Sequence, residues 1–161
     1  MPRWDAIGFF CEDVRQEMNN VETLIGIMPD NVAIEGVGGF LPKLGMYVRI
    51  HVTPDIDIES ISVSVDFFNG EHRQEIGAFS RDQIEEEKRK IRISGGSLIG
   101  FICRGLLSPF PVPHHGPVRL KVRIGEEEII CGGIRFVEPA ITSSTASPQP
   151  PSQSPPAAPA S

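Results

Sequence analysis

Between residues 44 and 53 apolar and polar side chains alternate with a period of two. Leu44, Met46, Val48, Ile50 and Val52 fall on one side, and Gly45, Tyr47, Arg49, His51 and Thr53 on the other. Two is the side-chain period of an extended strand, and one wet face marks an antiparallel sheet. The same beat returns over 60–67, where Ile61, Val63, Val65 and Phe67 oppose Ser60, Ser62, Ser64 and Asp66. The linker 54–59 is short, so the pattern predicts that these two strands form a hairpin. A third alternation sets Val118, Leu120, Val122 and Ile124 against Arg119, Lys121 and Arg123. Gly125-Glu126 follows it and suits a type II′ turn. That register places Val122 beside Ile129, Leu120 beside Cys131 and Arg123 beside Glu128. Gly132-Gly133 then predicts a bulge that returns Ile134 and Phe136 to the inner face.

Three segments, 6–11, 23–28 and 98–107, are apolar on both faces. A strand of that kind needs cover on its second side, from local chain or from a second subunit. A further short strand is predicted over 72–79, after a turn at Asn69-Gly70. One helix stands out after it. Ser80 and Gln83 fit a capping box, acids come early and bases late, and Gly95-Gly96 ends it. Glu85 with Arg89 and Glu86 with Lys90 are predicted i,i+4 pairs. The apolar side is thin, essentially Ile84 and Ile91, so this is a surface crossover.

These elements predict an all-β fold: an antiparallel β-sandwich of about seven to nine strands with one short surface helix, over residues 1–138. A barrel is the second arrangement compatible with the same pattern. Residues 139–161 contain no charged side chain and interleave proline with Ser, Ala and Thr. They predict a disordered tail, whose Pro150-Pro151 and Pro155-Pro156 pairs suit an aromatic groove on a partner.

Composition narrows the function classes. A net charge of −6 argues against a nucleic-acid partner. No run of apolar residues is long enough for a membrane helix, and the N-terminus lacks a signal-peptide pattern. Cys11, Cys103 and Cys131 are an odd, widely spaced set, which fits a reducing cytoplasm and not a disulfide framework.

Chemistry is sparse. His51, His72, His114 and His115 make no metal-ligand spacing with the cysteines. Asp55, Asp57 and Glu59 alternate in a loop, as in a calcium site, but Ile56 and Ile58 between them equally fit a solvated strand edge. No nucleophile elbow or phosphate loop is present. The stripe Arg119, Lys121 and Arg123 adjoins Glu126, Glu127 and Glu128, which predicts a salt-bridged wet face. The best recognition candidate is the loop 108–117. Four prolines stiffen it around Phe110 and the pair His114-His115.

The stretch Phe10-Cys11-Glu12-Asp13-Val14-Arg15, with Asn19-Asn20, Leu24-Ile25-Gly26-Ile27 and Leu41-Pro42-Lys43-Leu44, resembles an uncharacterised family of small bacterial proteins, a domain of unknown function. The resemblance covers the chain up to its tail. It implies a bacterial or phage origin and a β-sandwich, and no activity. In this stretch Leu24 to Ile27 are expected to enter the core, and Glu12, Asp13 and Arg15 to close a local turn and ion-pair network, with Arg15 the alternative ligand contact. The reading that results is a non-enzymatic sandwich that binds a protein partner or itself, with Phe110, His114, His115 and Arg15 as candidate contacts and no cofactor. A small-ligand or calcium-binding domain is the alternative.

Overall fold

The computed structural model describes residues 3–140 apart from residue 37, so most of the predicted tail, residues 141–161, lies outside the described part. Its strands are β1 (Trp4–Cys11), β2 (Asp13–Gln16), β3 (Glu22–Ile25), β4 (Asn31–Ala33), β5 (Gly39–Leu41), β6 (Leu44–Val52), β7 (Ser60–Phe67), β8 (His72–Ser80), β9 (Ile99–Leu107), β10 (Phe110–Val112), β11 (Gly116–Ile124) and β12 (Glu127–Val137). One helix, α1 (Arg81–Ser94), joins β8 to β9. The fold is the expected all-β sandwich. Its strands outnumber the forecast because β2, β4, β5 and β10 are too short to show an alternation.

One sheet runs β1-β6-β9 and the other β4-β12-β11-β7-β8, antiparallel except for β4 on β12. Ile50, Val48, Met46, Ile61, Val63, Val65, Leu120 and Val122 are buried between them, as the alternation requires. The predicted hairpin of 44–53 with 60–67 does not form. β6 is the centre of the first sheet, in register with β1 from Gly45 to Val52 and with β9 from Leu44 to Val52. Both of its edges are therefore taken by two of the three segments that are apolar on both faces. The linker instead arches across to the second sheet, and Ile58 is buried beneath it.

The sheets meet along both sides. On one side β1 lies against β12, and a Cβ placed on Gly132 would stand 2.7 Å from the carbonyl carbon of Gly8. On the other, β8 lies against β9, with Phe79 and Phe101 rings 5.0 Å apart. The first seam explains a register difference in β12. Val122 faces Ile129 and Arg123 faces Glu128 as predicted, but Leu120 faces Gly132, and the bulge falls at Cys131. Gly132 is needed opposite the β1 backbone, so the extra residue comes one position earlier.

Part of the second face of β1-β6-β9 is covered by local chain. The hairpin β2-β3 folds over it, and Arg104 of β9 pairs with Glu22 at 3.2 Å. Cys11 and Tyr47 are buried on that side. Leu24 to Ile27 do not enter the core: Leu24 and Ile25 are half-buried in β3, and Ile27 is exposed. The chain turns at Gly26, with φ +62°, because Glu12 crosses there. Glu12 N–H donates to the Ile25 carbonyl at 3.0 Å, and Arg15 pairs with Asp13 at 3.1 Å. The Cys-Glu-Asp stretch thus builds the corner that returns the chain over its own sheet.

Helix α1 starts at the expected capping box and ends at Gly95 with φ +73°. Its ion pairs run i,i+3 instead of i,i+4: Glu85–Lys88, Glu86–Arg89 and Glu87–Lys90. Both spacings are neighbours on a helix surface. Lys88 is buried, which widens the thin apolar side with its methylene stem.

Candidate functional site

The loop 108–117 sits where β8 and β9 part. Along the seam the two strands touch: a Cβ on Gly105 would meet Ile76 of β8 at 3.6 Å. Beyond that point they diverge and leave a cavity of about 410 Å³, lined by Phe67, Phe68, Phe110, Leu107, His72 and Gln74 with Pro109, Pro111 and Pro113. The floor is aromatic because three chain segments meet there. Phe110 stacks on Phe67 at 5.5 Å and on Phe136 at 5.9 Å, and Phe68 lies 6.5 Å from Phe136. Offset stacks of this kind add to simple burial. β10 pairs with β5 and holds Phe110 opposite Leu41. Ser108 Oγ donates to the Pro42 carbonyl at 2.9 Å and fixes the loop's start.

The turn after β7 shapes the other wall. Phe68, Asn69 and Gly70 have φ of +50°, +63° and +87°. Asn and Gly visit this region readily, whereas a bulky residue does so at a cost of about 1–3 kcal/mol. Phe68 is held there because its ring is buried between Phe67, Phe136 and His114, the last 4.4 Å away. Gly116 permits the approach, since a Cβ there would stand 3.3 Å from the Phe68 ring.

His114 braces loop to turn. Its Nδ1 lies 2.9 Å from the His115 carbonyl and its Nε2 2.9 Å from Glu71 Oε2. Both ring nitrogens face acceptors, and only the imidazolium has two N–H donors. The His115 carbonyl, then the Glu71 carboxylate, raise the His114 pKa above its ordinary value. A raised value means the brace is complete below the ordinary pKa of about 6.5 and is lost as pH rises through the raised one. Imidazole NMR resonances of His114 are therefore expected to titrate with a midpoint above 6.5, and the midpoint is expected to fall in Glu71→Gln. A midpoint at or below 6.5 in the native chain would contradict the bridge.

The sequence candidates fall in different places. Phe110 is 4% exposed, a floor residue and not a displayed one. His114 forms the brace. His115 is half-buried, and its Nε2 has no hydrogen-bond partner among the described residues. Arg15 belongs to the β2-β3 corner, does not line the cavity, and is occupied by Asp13. Phe68, His72 and Gln74 were not singled out from the sequence. The available signal was Phe67-Phe68-Asn69-Gly70, two aromatics running straight into a turn.

Other features offer less. A larger hollow of about 940 Å³ lies at the opposite end, between Trp4, residues 56–60 and the β11-β12 turn. Trp4 Nε1 donates to Glu127 there at 2.8 Å, and Asp57 pairs with Arg81 at 3.3 Å. Among the described residues no group of three or more His, Cys, Asp or Glu side chains is placed to hold a metal ion. Lys121 and Arg123 of the basic stripe are salt-bridged, as expected, but their partners are Asp66 and, of the turn glutamates, Glu128. Lys121 pairs with Asp66, and Glu128 accepts from Arg123 at 2.8 Å and from Arg73 at 2.5 Å. Arg73 first, then Arg123 and Lys121, hold the Glu128 carboxyl down at about 2. Burial pushes the thiols of Cys103 and Cys131 up to about 11, so both are neutral at pH 7 and poor nucleophiles. No helix of the described residues is long and apolar enough to cross a membrane. No family model matches the chain, and neither does any curated protein or solved structure.

Proposed function

We propose that this is a non-enzymatic binding module that takes an extended, uncharged segment of a protein partner into the groove between β8 and the 107–113 loop. The observation that carries this reading is the meeting of two features. The floor is aromatic, and among the described residues the adjoining strand β8 pairs with β7 alone, leaving its other edge without a sheet neighbour there. Extended peptides bind such places through strand edges and aromatic pockets. A folded ligand would not fit a hollow of about 410 Å³. The rim residues Gln74 and His72 are exposed and supply donors for a peptide's carbonyls. The strained turn at Phe68 supports the assignment, because such strain concentrates at binding sites.

The test is a titration of the full chain with fluorescein-labelled decaproline, read by anisotropy. Saturable binding is expected. Pro111→Asp, an exposed position in the groove wall, is expected to weaken it at least about tenfold, which is about 1.4 kcal/mol. Equal affinity in a variant that melts like the native chain would overturn the reading. A second reading, self-association, draws on the outer face of β1-β6-β9. Ile7 (47% exposed), Ile102 (38%) and Leu106 (53%) share that face. It is the less favoured because Arg49 sits between Ile7 and Ile102.

A further inference from the structure

We infer that the groove is under proton control: it holds an uncharged segment more tightly while His114 carries a proton on both ring nitrogens than after it has lost one. This rests on the groove being a peptide site, as proposed above, and adds what regulates it.

Three observations couple the proton to the groove. The first is a shared side chain. Glu71, whose Oε2 lies 2.9 Å from His114 Nε2, also lines the cavity. Beside an imidazolium its carboxylate is neutralised. Unpaired, it is a bare charge that an uncharged segment must strip of water, and that costs affinity. The second is that the brace spans both walls. Pro111 and Pro113 stand on the loop, and Phe68 on the turn after β7. The imidazolium ties one to the other, through Glu71 and through the Phe68 ring 4.4 Å away, which favours a cation over a neutral neighbour. Walls fixed in advance leave less to be ordered when a segment docks. The third is that a neutral His114 cannot satisfy both contacts. It has one N–H for two acceptors at 2.9 Å, so a ring lone pair must face either the His115 carbonyl or the Glu71 carboxylate. One side of the brace then lets go.

The groups around His114 set the direction. The turn contributes the Glu71 charge and the Phe68 ring, the loop contributes the His115 carbonyl, and β11 begins at Gly116 without a titratable side chain. His72, the other imidazole of the groove, stacks on Phe67 at 5.8 Å. The His115 carbonyl, then Glu71, favour the charged form of His114. The tight groove is therefore present below the ordinary value of about 6.5 and is lost as pH rises through the raised one. The His114 and Glu71 side chains are 41% and 64% exposed, and water screens such pairs, so the change is a few-fold.

The experiment is isothermal titration calorimetry of the full chain with decaproline blocked at both ends, so that the probe does not titrate, at about pH 6 and about pH 8.5. The native chain is expected to bind about threefold more tightly at the lower pH. His114→Gln and Glu71→Gln, the latter at an exposed position, are expected to bind nearly equally at the two values. His72→Gln and His115→Gln are expected to keep the threefold ratio. Linkage is reciprocal, so saturating decaproline must raise the proton affinity of His114 by the same factor, read as an upward move of its imidazole NMR midpoint. Native affinity that is equal at the two values, or lower at pH 6, would overturn proton control and leave the groove reading standing. So would a ratio that survives in both His114→Gln and Glu71→Gln, or that vanishes in His72→Gln, since another group would then be the titrating one. No decaproline binding at either pH would sink groove and control together.

Discussion

Replacing Gly132 with alanine is expected to cost about 3 kcal/mol of stability and lower the melting temperature by roughly 10 °C. The added methyl would stand 2.7 Å from the Gly8 carbonyl carbon and 3.2 Å from its Cα. Both are backbone atoms, so no side chain can swing aside. Gly8 cannot retreat easily either, since it is in register with Val48 in the centre of the first sheet. A Cβ on Gly8 itself would meet Leu120 at 2.9 Å, so the crowding is mutual. Gly100→Ala is the matched control. It lies in β9, and nothing stands within 4 Å of its Cβ position. Thermal melts of the two variants check the seam. A Gly132→Ala protein that melts within about 2 °C of the native one would mean that β1 and β12 do not touch there.

The second large effect is expected at Phe110. Phe110→Ala should destabilise by about 3–5 kcal/mol in urea denaturation, because a fully buried ring leaves a cavity that its neighbours fill only in part. Phe67 and Phe136 lose a stacking partner from either side. Phe110→Leu keeps most of the volume and is expected to cost about 1 kcal/mol. The pair separates packing from display. A displayed aromatic would tolerate alanine nearly as well as leucine, and that outcome would contradict its place in the floor. At temperatures where the alanine variant stays folded, it is also expected to lose decaproline binding, since the groove loses its base.

How far the chain could be read without its structure follows from which contacts are local. The inward residues of β6, β7 and β11 were legible because a two-residue period is a property of each strand alone. The capping box of α1 and the turn at Gly125 were legible for the same reason. Pairing was not, because a strand's partner depends on which edges are free. Nothing in residues 44–67 shows that β1 and β9 will occupy both edges of β6, so a short linker looked like a hairpin. The Cys131 bulge was misplaced by one residue because Gly132 serves the opposite sheet, a contact with Gly8 that lies far away in sequence. The loop 108–117 drew attention as a recognition candidate through its four prolines. Its prolines are local signals, but the burial of Phe110 comes from Phe67 and Phe136, and the His114 brace from Glu71. The groove itself is the gap between β8 and β9, and a gap has no residue of its own to read.

The most direct test maps decaproline on the full chain by two-dimensional amide NMR. The account requires the shifted peaks to cluster at residues 67–74 and 107–116. Shifts confined instead to Ile7, Arg49 and Ile102 on the outer face of the first sheet would contradict it.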